Sequence, residues 1–338
     1  MLSSRFSRSI AQCLSLGAIV GLGTISVLGP QPVLAANTFP GTNGRLALLD
    51  TTGFNEKLRV VAKRGGLTTI LRTGDYFDSL SFSPSGTRIV YTYNFGAPWR
   101  NLAIANVVTG NSRTLEMGKL SAGSAAFLDD GRIVFSGYYP NNERPGTYVI
   151  RRNGTLLHRL FKRTQLAATP DGRWFLATQE GPASQGRWLD LLNSRGRVVR
   201  RLVSDPTHRH SFYNVAFSPN GRWIVYEKLL DTYSKRIADL YLVRRDGTHR
   251  RRLTFSGRAE DPIFSPDGRW IAFRRSRGWN NYYSNIQALL VSDPTVKRWI
   301  THGQRRALSG PIWARSGPPR PPRGSCRSAA ASRRCRQM

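Results

Sequence analysis

Short hydrophobic stretches separated by polar turns recur along the chain, and the group near residue 268 shows the pattern clearly. A short apolar stretch at 261–264 leads into the turn Phe264-Ser265-Pro266-Asp267-Gly268. Residues 269–273 follow, and they are rich in the aromatic and β-branched residues that favour strands. Two further apolar stretches, at 286–291 and 295–300, complete the group. The pattern predicts four antiparallel strands joined by tight turns.

The preceding group has the same organisation. Its predicted strands are 213–217, 223–226, 240–243 and 251–255. The dipeptide Asp246-Gly247 separates the last two, and such dipeptides favour type I′ hairpin turns. The four-strand unit is therefore a repeat.

The turn motif repeats at nearly constant spacing. Its glycines stand at Gly44, Gly86, Gly131, Gly172, Gly221, Gly268 and Gly317, at intervals of 41 to 49 residues and a mean of about 45. This period is typical of propeller blades, each built from four strands. Radial repetition of such blades leaves few exposed sheet edges.

The two ends of the repeat array are complementary. The first repeat begins almost at its turn, near Gly44, and the last supplies a strand at 310–313 before a proline-rich segment. We therefore predict an all-β fold, a six-bladed β-propeller of four-stranded blades. The ring is expected to close when the C-terminal strand completes the first blade.

The repeats resemble the TolB-like β-propeller repeat family, whose turns read aromatic-Ser-Pro-Asp-Gly. Segments 217–227 and 264–274 carry the resemblance, together with the hairpin at 240–254. It extends over roughly residues 39–314 and implies the propeller fold. TolB itself has an additional N-terminal α/β domain that makes envelope contacts, and the segment between Ala36 and Gly44 is too short to contain it.

The N-terminal residues 1–35 have the organisation of a signal peptide. Arg5 and Arg8 precede an apolar stretch at 14–28, and Val33-Leu34-Ala35 fits a cleavage site. A retained membrane anchor is the alternative. The predicted domains are the signal peptide at 1–35, the propeller at 36–314 and a disordered, basic, Pro/Arg-rich tail at 315–338, and the predicted location is the periplasm or the exterior.

The formal net charge of +31 favours anionic partners. Export disfavours genomic nucleic acid as one of them. In five repeats an arginine directly follows the turn glycine. These arginines would form a basic ring on one face of the propeller, or they are simply solvent-exposed charges at the first residues of strands. These residues are Arg45, Arg132, Arg173, Arg222 and Arg269.

Aromatic and basic residues concentrate in the loops between blades and between the second and third strands, which share one face of a propeller. Such side chains could stack on sugars or hold an extended peptide, or they could simply cover strand ends. The candidate ligand-binding residues are Tyr76, Tyr93, Trp99, Arg100, Tyr138, Tyr139, His208, His210, Tyr213, Trp279, Tyr282 and Tyr283.

Catalytic and metal-binding patterns are weak. His208 and His210, with Asp205 nearby, could hold a metal, but no third histidine is close and the surroundings are cationic. The repeats contain no nucleophile elbow, phosphate loop or cysteine pair with zinc spacing. We therefore predict no cofactor, no metal and no catalytic residues.

The sequence favours an exported, monomeric, non-catalytic propeller without a membrane span after signal removal. Its loop face is expected to bind a protein, a peptide or an anionic envelope polymer. The alternative is a lyase or hydrolase acting on acidic polysaccharide, with His208, His210 and Tyr213 as its candidate residues. We do not expect the regulatory propeller of a prolyl-oligopeptidase-type enzyme, because no hydrolase domain follows residue 314.

Overall fold

A computed structural model describes residues 43–315 with internal gaps. The residues outside the description are 53–55, 62–66, 73–75, 95–99, 140–142, 165, 181–186, 208, 233–234, 277–282 and 302–307. The predicted signal peptide, and the predicted tail from residue 316 onward, also lie outside the described residues.

The described chain forms six antiparallel sheets of four strands each. In chain order the strands are β1 Asn43–Asp50, β2 Lys57–Val61, β3 Leu67–Arg72, β4 Tyr76–Phe82, β5 Arg88–Asn94, β6 Asn101–Asn106, β7 Ser112–Leu115, β8 Ser121–Phe127, β9 Arg132–Tyr139, β10 Glu143–Arg151, β11 His158–Phe161, β12 Ala167–Ala168, β13 Trp174–Glu180, β14 Arg187–Asn193, β15 Val198–Asp205, β16 His210–Phe217, β17 Trp223–Thr232, β18 Lys235–Arg244, β19 Arg251–Arg252, β20 Ala259–Phe264, β21 Trp270–Ser276, β22 Ser284–Leu290, β23 Lys297–Trp299 and β24 Leu308–Arg315. The predicted six-bladed, all-β fold is confirmed.

The last strand closes the ring in the first blade. Blade 1 has the order β24-β1-β2-β3, whereas blades 2 to 6 each use four consecutive strands. In the closing pair Leu46 lies opposite Trp313 and Ala47 opposite Ile312. The Trp313 indole Nε1 also donates a hydrogen bond to the Gly44 carbonyl at 3.1 Å. The predicted closure is therefore confirmed.

The repeated turn motif is explained by its hydrogen bonds. At the turn of blade 6, the Gly268 amide donates to the Ser265 carbonyl at 2.8 Å. The Ser265 hydroxyl donates to Asp267 at 2.6 Å and accepts from the Trp270 amide at 2.9 Å. Gly268 has a φ of 73°, which glycine adopts without strain. Serine, aspartate and glycine thus each have a defined structural role in the motif.

The hydrophobic core lies between the blades. Six clusters of buried side chains each combine residues of two neighbouring blades. One cluster joins Trp270 of blade 6 to Leu46 of blade 1, so packing as well as strand pairing closes the circle. Face-to-face packing of twisted sheets is the usual source of stability in such all-β rings.

The antiparallel order gives the propeller two different sides. We call the side with the first-to-second and third-to-fourth strand connections the turn side. The opposite side, with the second-to-third strand connections and the connections between blades, is the loop side. No helix in the described part of the chain has the length and apolar character needed to cross a bilayer.

Candidate binding site in the central channel

A central channel of about 600 Å³ runs between the blades. Residues of the innermost strands β4, β8, β12, β16, β20 and β24 line it, so all six blades contribute. Its volume is that of a small-ligand or peptide site.

A ring of mostly polar residues lines the channel, one from each blade at the position seven residues before the turn glycine. We call this ring the channel collar. Its described members are Ser79, Ser124, Asn214, Asp261 and Gly310. The equivalent residue of blade 4, Gln165, lies outside the described residues.

The collar residues occupy irregular positions in the innermost strands. Strand pairing shifts register at this point in blades 1, 2, 3, 5 and 6. Asn214, Asp261 and Gly310 have φ values of 44°, 54° and 56°. Asparagine, aspartate and glycine are the residues that tolerate this left-handed conformation. Bulges of this kind re-aim side chains next to functional sites.

Hydrogen bonds connect the collar between neighbouring blades. The Asn214 amide Nδ2 donates to Asp261 Oδ1 at 2.8 Å and to Glu227 Oε2 at 2.8 Å. The Gly310 amide donates to Asp261 Oδ2 at 3.4 Å. On the other side of the ring, the Ala125 amide donates to the Ser79 hydroxyl at 2.9 Å. The collar is therefore held in place by contacts across several blade interfaces.

A buried ionic network supports the collar from behind. Arg274, with a side chain only 16% exposed, contacts Asp261 at 3.0 Å and also pairs with Glu260. Burial alone would lower the pKa of Arg274, but the carboxylates of Asp261, Glu260 and Glu227 raise it above its ordinary value. Arg274 is consequently a fixed positive charge that holds Asp261 at the channel.

The turn-side end of the channel has a different character. Four turn prolines line this end, and blade 3 places an aspartate at the equivalent position. They are Pro84, Pro170, Pro219, Pro266 and Asp129. Small and apolar residues such as Ala126, Ala167 and Ile312 lie between this end and the collar. The channel thus joins a polar collar to an apolar passage.

Of the predicted ligand-binding residues, Tyr213 lines the channel. The others that are described lie farther out on the loop side, at strand ends. The Tyr93 hydroxyl hydrogen-bonds Thr114 of the outermost strand of blade 2 at 2.7 Å. Tyr138 and Tyr283 are exposed, at 38% and 47%.

Three further predicted residues, Arg100, Tyr139 and Tyr76, lie at or next to the loop-side ends of strands. Arg100 is exposed, and its backbone amide donates a hydrogen bond to the Ser121 hydroxyl at 3.0 Å. Tyr139 is half-buried at the end of β9. The backbone of Tyr76 pairs with Asn94, while its side chain lies outside the description. Trp99, His208, Trp279 and Tyr282 also lie outside the described residues.

His210 has a structural partner. Its Nδ1 and its backbone amide both lie 2.7 Å from Asp205 Oδ2. Thr207 donates to Asp205 Oδ1 through its amide and its hydroxyl, at 3.0 and 2.6 Å. Burial acts to raise the pKa of Asp205, but the hydrogen bonds from Thr207 and His210 lower it well below its ordinary value. Asp205 therefore ties the outermost strand of blade 4 to the innermost strand of blade 5.

Within the described residues, no group of three His, Cys, Asp or Glu side chains is arranged to hold a metal. The collar instead offers hydroxyl, amide and carboxylate groups above an apolar passage. Such an arrangement can hydrogen-bond a backbone or a polar side chain while burying apolar groups.

Comparison with solved structures relates this geometry to known propellers. TolB from Acinetobacter baumannii matches with a TM-score of 0.64 and 19% identity, over 81% of this chain and 68% of that chain. A putative TolB from Agrobacterium tumefaciens matches with a TM-score of 0.57 and 14% identity, over 77% and 89% of the two chains. The chain has a TolB-like propeller fold.

The TolB-like fold also occurs outside the TolB proteins. A chain of a nidogen/laminin complex matches with a TM-score of 0.59 and 13% identity, over 81% of this chain and 99% of that chain. No family model matches this chain, and no curated protein sequence does so. At these identities the likeness concerns the fold, and the predicted resemblance to TolB-like propellers is confirmed at that level.

Proposed function

We propose that this TolB-like propeller is an exported, non-catalytic binding protein that holds a short extended segment of a partner protein at the loop-side end of its channel. The channel supports the proposal, because all six blades line it and four of them place a polar collar side chain in its wall. The loop face predicted from the sequence is retained, but the proposed contacts now centre on Tyr213 and the collar.

The chemistry of the channel suits a polypeptide. Ser79 and Ser124 carry neutral hydroxyl groups, which match the backbone amides and carbonyls of an extended chain. Asn214, whose Nδ2 donates within the collar, adds a neutral amide oxygen. The apolar passage beyond them, formed in part by Ala167 and Ile312, can bury a side chain. The aromatic ring of Tyr213 at the same site adds a rigid contact surface.

The structural neighbours agree with protein binding. The nidogen/laminin match is a propeller solved in a complex of two proteins. The TolB matches share the same fold.

Site-specific photocross-linking in the producing cell tests the proposal. We would place a photoreactive phenylalanine analogue at position 213, in the channel, and at position 299 as a control. Trp299 is 48% exposed on the outermost strand of blade 6. We expect a discrete cross-linked polypeptide from position 213 and none from position 299.

Blocking the channel with a bulky side chain tests whether the partner binds inside it. Ser124→Trp places a bulky ring at the collar, whereas Thr109→Trp places the same ring in an exposed turn of blade 2. The cross-link at position 213 should disappear in the first variant and persist in the second. Equal labelling in both variants, or no product at position 213, would contradict channel binding.

The enzymatic alternative has its own assay. Acidic polysaccharides such as polygalacturonate are incubated with the purified protein, and release of unsaturated sugar is measured. A non-catalytic propeller should give no product above a boiled control. Product that is lost in His210→Ala, with the fold retained, would replace the binding proposal by the lyase alternative.

A further inference from the structure

Positive charge is concentrated on the turn side of blades 3 to 5. Six turn segments there contain ten arginines and four aspartates, a net charge of +6. We call them the basic turn surface, and they are residues 128–132, 151–156, 169–173, 193–197, 218–222 and 244–250. The equivalent turns of blades 2 and 6, at 83–87, 107–111, 265–269 and 291–296, contain one arginine and two aspartates. The charge is therefore a local patch and not an average property of the fold.

Contacts between blades order part of the basic turn surface. The Arg245 guanidinium of blade 5 stacks over the Trp174 ring of blade 4 at 4.7 Å. In blade 3 the Arg152 carbonyl accepts a hydrogen bond at 2.6 Å from Arg113 of blade 2. Arg132, Arg151 and Arg152 line one notch of about 470 Å³. These arginines thus project from a supported surface.

Exposed aliphatic side chains lie among these arginines. Leu156 is 57% exposed, and Val198 and Val199, at the turn-side end of β15, are 41% and 51% exposed. Leu156 has a φ of 55°, a left-handed conformation that bulky residues rarely adopt. His249 has a φ of 54° in the matching turn of blade 5, so the turn imposes the conformation. The turn itself does not require a large apolar side chain at this exposed position.

We propose that the basic turn surface binds the surface of a bilayer that contains anionic phospholipids. Clustered arginines attract anionic headgroups, and exposed aliphatic side chains next to them can enter the boundary between headgroups and acyl chains. A soluble acidic polysaccharide would satisfy the arginines but would leave Leu156, Val198 and Val199 in water. The combination therefore favours a lipid surface over a soluble polyanion.

This contact would orient the propeller. The basic turn surface lies at the turn-side ends of the strands, whereas the collar lies near the middle of the innermost strands. A bilayer on the turn side therefore leaves the loop-side end of the channel open to solvent. Membrane binding does not depend on the proposed peptide site, and a variant that plugs the channel should bind vesicles normally.

Vesicle co-sedimentation tests the proposal with the purified chain lacking residues 1–35, compared with the full chain. Binding is measured to vesicles of phosphatidylcholine and to vesicles of phosphatidylcholine mixed with phosphatidylglycerol. We expect binding to the mixed vesicles and little to phosphatidylcholine alone. The variant Arg152→Gln/Arg195→Gln/Arg197→Gln should bind mixed vesicles roughly 100-fold more weakly, at about fivefold per arginine.

A loop-side variant controls for total charge. Lys119→Gln/Lys162→Gln/Arg209→Gln removes three exposed positive charges on the other side of the blades. It should bind mixed vesicles within about threefold of the wild type, because charges more than a Debye length from the bilayer contribute little. Equal weakening in both triple variants would overturn the assignment to the turn side.

Leu156→Asn separates a bilayer from a soluble polyanion. Asparagine tolerates the left-handed conformation of residue 156, so the fold should be retained. We expect about tenfold weaker vesicle binding, since an aliphatic contact is lost, and unchanged binding to soluble polygalacturonate or heparin. Vesicle binding that is insensitive to Leu156→Asn, or tight binding to the soluble polyanions without vesicle binding, would overturn the proposal.

Discussion

Removing the positive charge of Arg274 tests whether the buried ionic network stabilises the collar. Arg274→Met keeps much of the side-chain volume but removes the positive charge beside Asp261, Glu260 and Glu227. Glu227 and Glu260 are 0% and 2% exposed, so little water can compensate. Breaking a buried ion pair by deleting one partner costs about 3–5 kcal/mol. That is a large part of the 5–15 kcal/mol typical of a domain.

Urea unfolding followed by tryptophan fluorescence measures this loss. The midpoint should fall while the slope with urea stays near the wild-type value, since the folded ring is preserved.

Arg173→Met is the matched control. Its guanidinium pairs with Asp171 at 3.7 Å and the Arg173 side chain is 73% exposed. Such a surface pair contributes about 0–1 kcal/mol. If Arg274→Met were no more destabilising than this control, the collar would not depend on the buried network and the reasoning would be refuted.

Other substitutions test particular contacts. Asp205→Asn should destabilise by about 1–3 kcal/mol at pH 7. Because the pKa of Asp205 is lowered in the folded protein, its contribution is complete above the unfolded value of about 3.9 and is lost as the pH falls further. Thermal melts from pH 7 to 2 should therefore converge for variant and wild type, and parallel curves would contradict this. Gly196→Ala should destabilise by about 2 kcal/mol or more, because φ is 71° and the new Cβ would collide with Phe161. Gly131→Ala has a φ of 81° but open space, so thermal melts should show a smaller loss of about 1 kcal/mol. Trp313→Ala should cost about 3–5 kcal/mol in urea unfolding and increase hydrogen exchange in β1, whereas unchanged exchange would argue against its role in closure.

The turn residues made the fold predictable. Ser265, Asp267 and Gly268 act within one local turn, so their pattern is visible in the sequence and recurs wherever the turn recurs. Ring closure followed from counting strands at the two ends. Strand limits were less exact, since the predicted 240–243 belongs to a strand at Lys235–Arg244. The pattern of apolar residues predicts the buried centre of a strand better than it predicts the hydrogen-bonded residues at its ends.

The candidate site was harder to predict because it depends on contacts between distant residues. Arg274 and Glu227 come together only when blades 5 and 6 pack. The collar had a detectable signal, in that Asn214, Asp261 and Gly310 stand seven residues before their turn glycines and all tolerate positive φ. The prediction instead emphasised aromatic residues, of which Tyr213 reaches the channel.

His210 illustrates a related limit of sequence reasoning. Its proximity to Asp205 was visible, and the two residues were considered as metal ligands, although no metal was predicted. In the structure the same two residues form a hydrogen-bonded tie between blades. Close spacing of histidine and aspartate is compatible with both arrangements, and backbone geometry decides between them.

The channel exists only if the six blades form a closed ring, and a cysteine cross-link tests that closure most directly. In a chain with Cys13, Cys326 and Cys335 replaced by serine, Ala47→Cys and Ile312→Cys would place two thiols on directly paired residues. Mild oxidation of the folded protein should join them nearly completely, and mass spectrometry after proteolysis should recover the linked peptides. The control pair Ala47→Cys/Ala314→Cys, displaced by two residues, should link much less. Absence of the 47–312 link in folded protein, or equal linking of both pairs, would contradict the closed propeller.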